Sequence, residues 1–127
     1  MLINARTGAV VAQNIELAET RRQRRRGLLG RKSLDASTAL IILPCFSIHT
    51  AFMRFAIDAI FVDKEGIVVR IERGMGPWRA ATSWRAHSVI ELAAGQVGDQ
   101  EVVIGDRLYL ATAASPDRRP ASYPISA

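Results

Sequence analysis

Ile57 to Val62 and Ile67 to Ile71 are two apolar runs rich in β-branched residues, separated only by Asp63-Lys64-Glu65-Gly66. Such a short polar loop ending in glycine predicts a hairpin, because Gly66 accepts the positive φ that closes the turn. Two neighbouring antiparallel strands therefore occupy the middle of the chain, and the rest must pack around them.

Further short strands are expected at Leu2-Ile3, Val10-Val11 and Ile15 to Leu17, with Thr7-Gly8 as a turn. Leu40 to Leu43 reads as a buried strand closed by Pro44, and Val89 to Leu92 as another. From Phe46 the alternation through Ile48 and Phe52 predicts an extended segment with Cys45, Ser47, His49, Ala51 and Met53 on its other face. Val102 to Ile104 and Leu108 to Leu110 suggest a second hairpin, and residues 74–87 a long connection. The helical signature lies at Thr20, a capping residue with Gln23 completing the capping-box pattern; it predicts a helix over residues 21–29, stopped by Gly30. Many short strands with one or two short helices predict an α+β, mainly β domain: an antiparallel, curled, barrel-like sheet. At 127 residues one domain is expected, over 1–114, followed by a mobile tail at 115–127 where Pro116, Pro120 and Pro124 interrupt any core pattern.

Charge is uneven. Residues 21–32 hold Arg21, Arg22, Arg24, Arg25, Arg26, Arg31 and Lys32 and no acid, which leaves −2 on the remainder of a chain whose total is +5. No apolar run approaches the roughly 20 residues of a membrane-crossing helix. Met1 to Arg6 has no secretory pattern, and a lone cysteine suits a reducing compartment, so the expected location is the cytoplasm, with no membrane partner.

Reactive side chains concentrate between Cys45 and Asp58, with His49, Met53 and Arg54 between them, among Phe, Ile and Ala. Cys45, His49 and Asp58 have the residue types of a thiol hydrolase, and Cys45, His49 and Met53 those of a soft-metal site. In an extended strand Cys45 and His49 stand roughly 13 Å apart, which opposes both, so neither a metal nor a cofactor is expected. His49, Arg54 and Asp58 fit a polar cluster better: the Arg54 fork suits a carboxylate or phosphate, and Asp58 can orient either neighbour. Trp78 and Trp84, bracketed by Gly74, Gly76 and Pro77, offer a stacking wall. Glu91 and Asp106 could do acid and base work as a pair, although no spacing brings them together. Arg21, Arg22, Arg25 and Arg26 form an anion-binding surface, for which specific nucleic-acid recognition is the lesser reading because the helix carries no aromatic platform.

Several segments resemble the DUF192 family, a domain of unknown function: Arg24-x-x-Gly27-Leu28-x-x-Arg31; His49-Thr50-x-Phe52-Met53-Arg54-Phe55-x-Ile57-Asp58-x-x-Phe61-Val62-Asp63-x-x-Gly66; Val89 to Gly95; and Gly105-Asp106. They run in family order over about residues 20–110. The resemblance implies a compact, mostly β domain with a barrel-like sheet, and it implies no reaction, cofactor or catalytic residue. The leading expectation is a noncatalytic domain that binds a small anionic molecule where His49, Arg54 and Asp58 meet Trp78 and Trp84. A Cys- or carboxylate-dependent hydrolase and a polyanion-binding arginine helix are the alternatives.

Overall fold

The computed structural model describes residues 1–112 and 122–125. In chain order they form β1 (Leu2–Asn4), β2 (Val10–Ala12), β3 (Asn14–Ala18), α1 (Arg21–Arg26), β4 (Thr38–Ile42), β5 (Ser47–His49), β6 (Ile57–Val62), β7 (Val68–Met75), β8 (Ala80–Thr82), β9 (Ser88–Ala93), α2 (Gln96–Asp99), β10 (Leu108–Ala111) and β11 (Ser122–Tyr123). The fold is mainly β with two short helices among the described residues, as expected. Its strands fall into a central sheet ordered β3-β4-β9-β6-β7, a second sheet ordered β11-β10-β1-β2, and a two-stranded ribbon of β5 and β8.

The β6–β7 hairpin forms where the sequence places it. Asp63 Oδ1 accepts from the amides of Glu65 and Ile67 at 2.9 and 3.0 Å, and Gly66 adopts φ 83°. A Cβ on Gly66 would lie 2.5 Å from the Leu108 carbonyl oxygen, so the loop tip needs glycine for space as well as for φ.

Strand alternation divides the central sheet into two buried faces. Ile41, Ile60, Ile90 and Leu92 face the second sheet, meeting Leu2, Val11 and Leu108 in one core cluster. Leu40, Ile42, Ala59, Phe61 and Val89 face the other way, where Leu28, Leu34 and the ribbon residues Ile48 and Ala81 cover them. The molecule is thus three layers, with β9 central and buried almost throughout.

Several elements differ from expectation. β3 and β4 pair in parallel, because the connection through α1 carries the chain back to the start of the sheet before it re-enters. α1 ends at Gly27, φ 47°, rather than at Gly30; none of its six residues is buried, and stopping there lets Leu28 turn into the core. The Thr20–Gln23 capping box is present as expected. Residues 80–82, read as part of a long connection, are β8, paired with β5 in the register Ser47↔Thr82, Ile48↔Ala81 and His49↔Ala80. Val102 to Ile104 makes no strand: Asp106 Oδ2 accepts from the Val103 amide at 3.0 Å and holds a turn, so β10 pairs with β1 instead. Most of the expected tail lies outside the described residues; within it, β11 pairs with β10 and Ile125 is buried.

Candidate functional site

On the face of the central sheet covered by Leu28, Leu34 and the ribbon, a pocket of about 360 Å³ opens between α1 and β5. Arg21, Arg24, Arg25 and Arg26 line it on the helix side. Leu28, Ile42, Ile48 and Met53 supply apolar wall, Cys45 and His49 lie along the β5 side, and Glu91 of β9 reaches it from the sheet. The helix bears arginine on consecutive turns and buries nothing, so its basic side chains are free to face the opening. Arg24 donates to the Glu19 carbonyl; among the described residues, Arg21, Arg25 and Arg26 form no ion pair with a carboxylate.

Glu91 occupies the centre of a cross-sheet row. The registers place Glu16 beside Leu40, Leu40 beside Glu91, Glu91 beside Ala59 and Ala59 beside Glu72, so three glutamates share one face. The outer two each hold an arginine: Arg31 grips both oxygens of Glu16 at 2.8 and 3.0 Å, and Arg70 donates to Glu72 Oε1 at 2.6 and 3.0 Å. Glu91 is only 4% exposed, and its Oε2 has no hydrogen-bond partner among the described residues. Burial pushes its carboxyl up to about 7, against a weaker pull downward from Arg31. A carboxylic acid that titrates near neutrality beside a basic, partly apolar pocket can give or take a proton, or hold a donor from a ligand. The sequence signal for it was an acid between Ile90 and Leu92 in an otherwise apolar strand; what could not be read was the row that deprives it of a partner.

The side chains from the sequence-predicted site go to different places. His49 lines the pocket with Cys45 and Met53. The Cys45 Sγ donates to the Ser47 carbonyl at 3.2 Å, and burial pushes the thiol up, outweighing a downward pull from the Ser47 backbone. Arg54 is exposed. Asp58 does not join a polar cluster: it is 1% exposed, on the opposite face of the sheet from Glu91, and its two oxygens accept from the amides of Gly74, Gly95 and Val97.

Trp78 and Trp84, expected as one stacking wall, instead make two separate contacts at opposite ends of the β5–β8 ribbon. Trp78 meets Phe52 edge-on at 4.6 Å and Trp84 meets Phe46 at 4.9 Å. Thr50 ties the first pair together, accepting from Arg79 N at 2.8 Å and donating to the Gly76 carbonyl at 2.6 Å. Phe52 and Trp78 take positive φ, 64° and 62°, so short aromatic tips are held out from the ribbon in a conformation bulky residues seldom adopt.

Glu91 and Asp106 do not act as a pair. Asp106 is held down to about 2, mainly by the hydrogen-bonded Arg6 guanidinium at 2.6 Å, with Asn4 and the Val103 amide as further donors. Of the anion surface read from sequence, Arg21, Arg25 and Arg26 line the pocket, joined by Arg24, while Arg22 does not. Among the described residues no three His, Cys, Asp or Glu side chains group as metal ligands, and no helix is long and apolar enough to cross a membrane.

Residues 2–110 match the family model DUF192, Uncharacterized ACR. A UPF0127 protein of Thermococcus sibiricus (strain DSM 12597 / MM 739) is 33% identical over 114 residues, covering 85% of this chain and 73% of that protein. A crystal structure named "putative transcription regulator" from Sinorhizobium meliloti 1021 superposes with a TM-score of 0.74 at 25% identity, over 84% of this chain and 88% of that one. A protein of unknown function from Novosphingobium aromaticivorans DSM 12444 has the same fold, with a TM-score of 0.71 at 20% identity over 84% of this chain and 81% of its own.

Proposed function

The chain belongs to the DUF192 family, and from that premise we propose that it binds a small organic anion in the pocket between α1 and β5. The family name carries no activity, so the reading rests on the site. The observation that carries it is the convergence of four α1 arginines with apolar wall on one pocket of about 360 Å³. Guanidinium groups without carboxylate partners supply planar, charge-assisted donors for a carboxylate or phosphate. Leu28, Ile42, Ile48 and Met53 suit an apolar body, which separates such a ligand from inorganic anions.

Binding is favoured over thiol chemistry because the Cys45 thiol is raised, not depressed, and already donates to a backbone carbonyl. The name of the Sinorhizobium neighbour would suggest DNA contact, but α1 has six residues and α2 four, too short for a helix that reads a groove. The free thiol supports the cytoplasm as the compartment in which the protein works.

The test is a thermal-shift screen at low salt with octanoate, hydrocinnamate and phenyl phosphate as probes. At least one should raise Tm in the wild-type protein and none in Arg21→Gln/Arg25→Gln/Arg26→Gln, whose altered side chains are all exposed. An equal rise in both proteins would contradict the reading.

A further inference from the structure

We infer that the ligand of this pocket carries a protonated amine as well as an acid group, with Glu91 as the carboxylate that receives the amine. The ligand class is then an apolar, amino-acid-like zwitterion. This inference rests on the organic-anion reading and adds the second recognition element to it.

The cross-sheet row carries the argument. Glu16, Glu91 and Glu72 lie on one face, and each outer member is matched to a guanidinium, from Arg31 and Arg70 respectively. Glu91, the most buried of the three, forms no ion pair among the described residues, feels Arg31 only weakly through space, and has an oxygen with no donor. Burying a carboxylate is costly unless a charge and hydrogen bonds replace the lost water. Arg31 is already held by both oxygens of Glu16, and Arg24 donates to the Glu19 carbonyl, which leaves the place beside Glu91 to a group from outside. An ammonium offers three donors and the missing positive charge in a volume small enough to reach the sheet.

The rest of the pocket supplies the complementary parts. Arg21, Arg25 and Arg26 stand ready for the acid group, and Leu28, Ile42, Ile48 and Met53 for an apolar side chain. A plain organic anion would satisfy the arginines and leave Glu91 unmatched. A zwitterion satisfies both ends, and one with a polar side chain would waste the apolar wall.

Proton balance gives a signature. The charged groups around Glu91 are Arg21, Arg24, Arg25 and Arg26 of α1, Arg31 with its partner Glu16, Glu72 with Arg70, and the titratable Cys45 and His49 beside β5. Burial keeps the free Glu91 carboxyl protonated up to about 7. An arriving ammonium ion favours the carboxylate, so on the acid side of neutrality binding must expel the Glu91 proton to solvent.

Isothermal titration calorimetry tests this with L-phenylalanine against hydrocinnamate and L-leucine against isocaproate, pairs that differ by the amine. At about pH 8 at least one amino acid should bind about tenfold more tightly than its amine-free partner, the worth of one charge-assisted contact. In Glu91→Gln that preference should collapse. At about pH 6, wild-type binding measured in buffers of different ionisation heat should release close to one proton per site. The last measurement needs no variant, so a poorly folding Glu91→Gln leaves the test intact. Amine-free acids that bind as tightly as the amino acids, or binding without proton release, would overturn the inference and leave the anion site standing. No binding by either member of both pairs, with no response to octanoate or phenyl phosphate either, would overturn the two together.

Discussion

The Asp58 carboxylate accepts a hydrogen bond from the Val97 amide at 3.0 Å, across 39 positions of sequence. Its oxygens also take the amides of Gly74 and Gly95, so one buried side chain in β6 joins the far end of β7 to the start of α2. Asp58→Ala leaves three amides without an acceptor and should lower unfolding free energy by roughly 3 kcal/mol or more, given the cost of losing hydrogen bonds to a charged group. Urea denaturation measures it; a loss within experimental error would mean that Asp58 does not brace the fold.

Asp106 sets the acid limit. Its carboxyl is depressed to about 2 by Arg6 foremost. A depressed carboxyl stabilises the fold above its unfolded value, about pH 4, and that contribution drains away as pH falls through about 2. In Arg6→Gln the largest cause is gone, so the folded carboxyl protonates at higher pH and its smaller contribution is exhausted sooner as pH falls. Acid titrations followed by circular dichroism should show the transition of Arg6→Gln displaced upward, and coincident curves would refute the linkage.

Glu91 acts in the opposite sense. A carboxyl raised to about 7 means that the folded protein holds a proton the unfolded chain has released. Stability should therefore fall as pH rises from about 4 to about 7 and level off above, a total of about 3 kcal/mol at 1.36 kcal/mol per pKa unit. Glu91→Gln, never ionised, should be the more stable protein near pH 8 and should lack this slope. A variant less stable than wild type at that pH would mean the Glu91 carboxylate has a partner in the free protein.

Cys45 is predicted to be a slow thiol. Burial raises it, outweighing a downward pull from the Ser47 backbone. Iodoacetamide near neutral pH should modify it more slowly than glutathione under the same conditions, with the difference vanishing in urea. Modification faster than glutathione would return the thiol-enzyme reading.

What the sequence disclosed followed from local patterns. The β6–β7 hairpin is written in two apolar runs and Gly66, and the start of α1 in Thr20 and Gln23, because each signal lies within a few residues of what it causes. Ala80 to Thr82 has no such period, and its strand exists only because β5 is beside it. Asp58 reads as a partner of Arg54 or His49 because its actual donors come from residues 74, 95 and 97, none of them near in sequence. Cys45, His49 and Met53 stand together in the sequence as one candidate group and the arginines as another. That they border one pocket depends on the parallel return of the chain from α1 into β4, a long-range pairing no local pattern announces. Trp78 and Trp84 were placed together on chemical type alone, whereas the ribbon register puts them at opposite ends.

The location of binding is the heart of the account, and amide chemical-shift mapping by NMR during titration with hydrocinnamate reads it directly. Saturable shifts should concentrate in α1 and its following turn, residues 21–29, in residues 45–53, and around Glu91, and they should disappear in Arg21→Gln/Arg25→Gln/Arg26→Gln. Shifts confined to the aromatic tips at Trp78 and Trp84, or none at all, would contradict it.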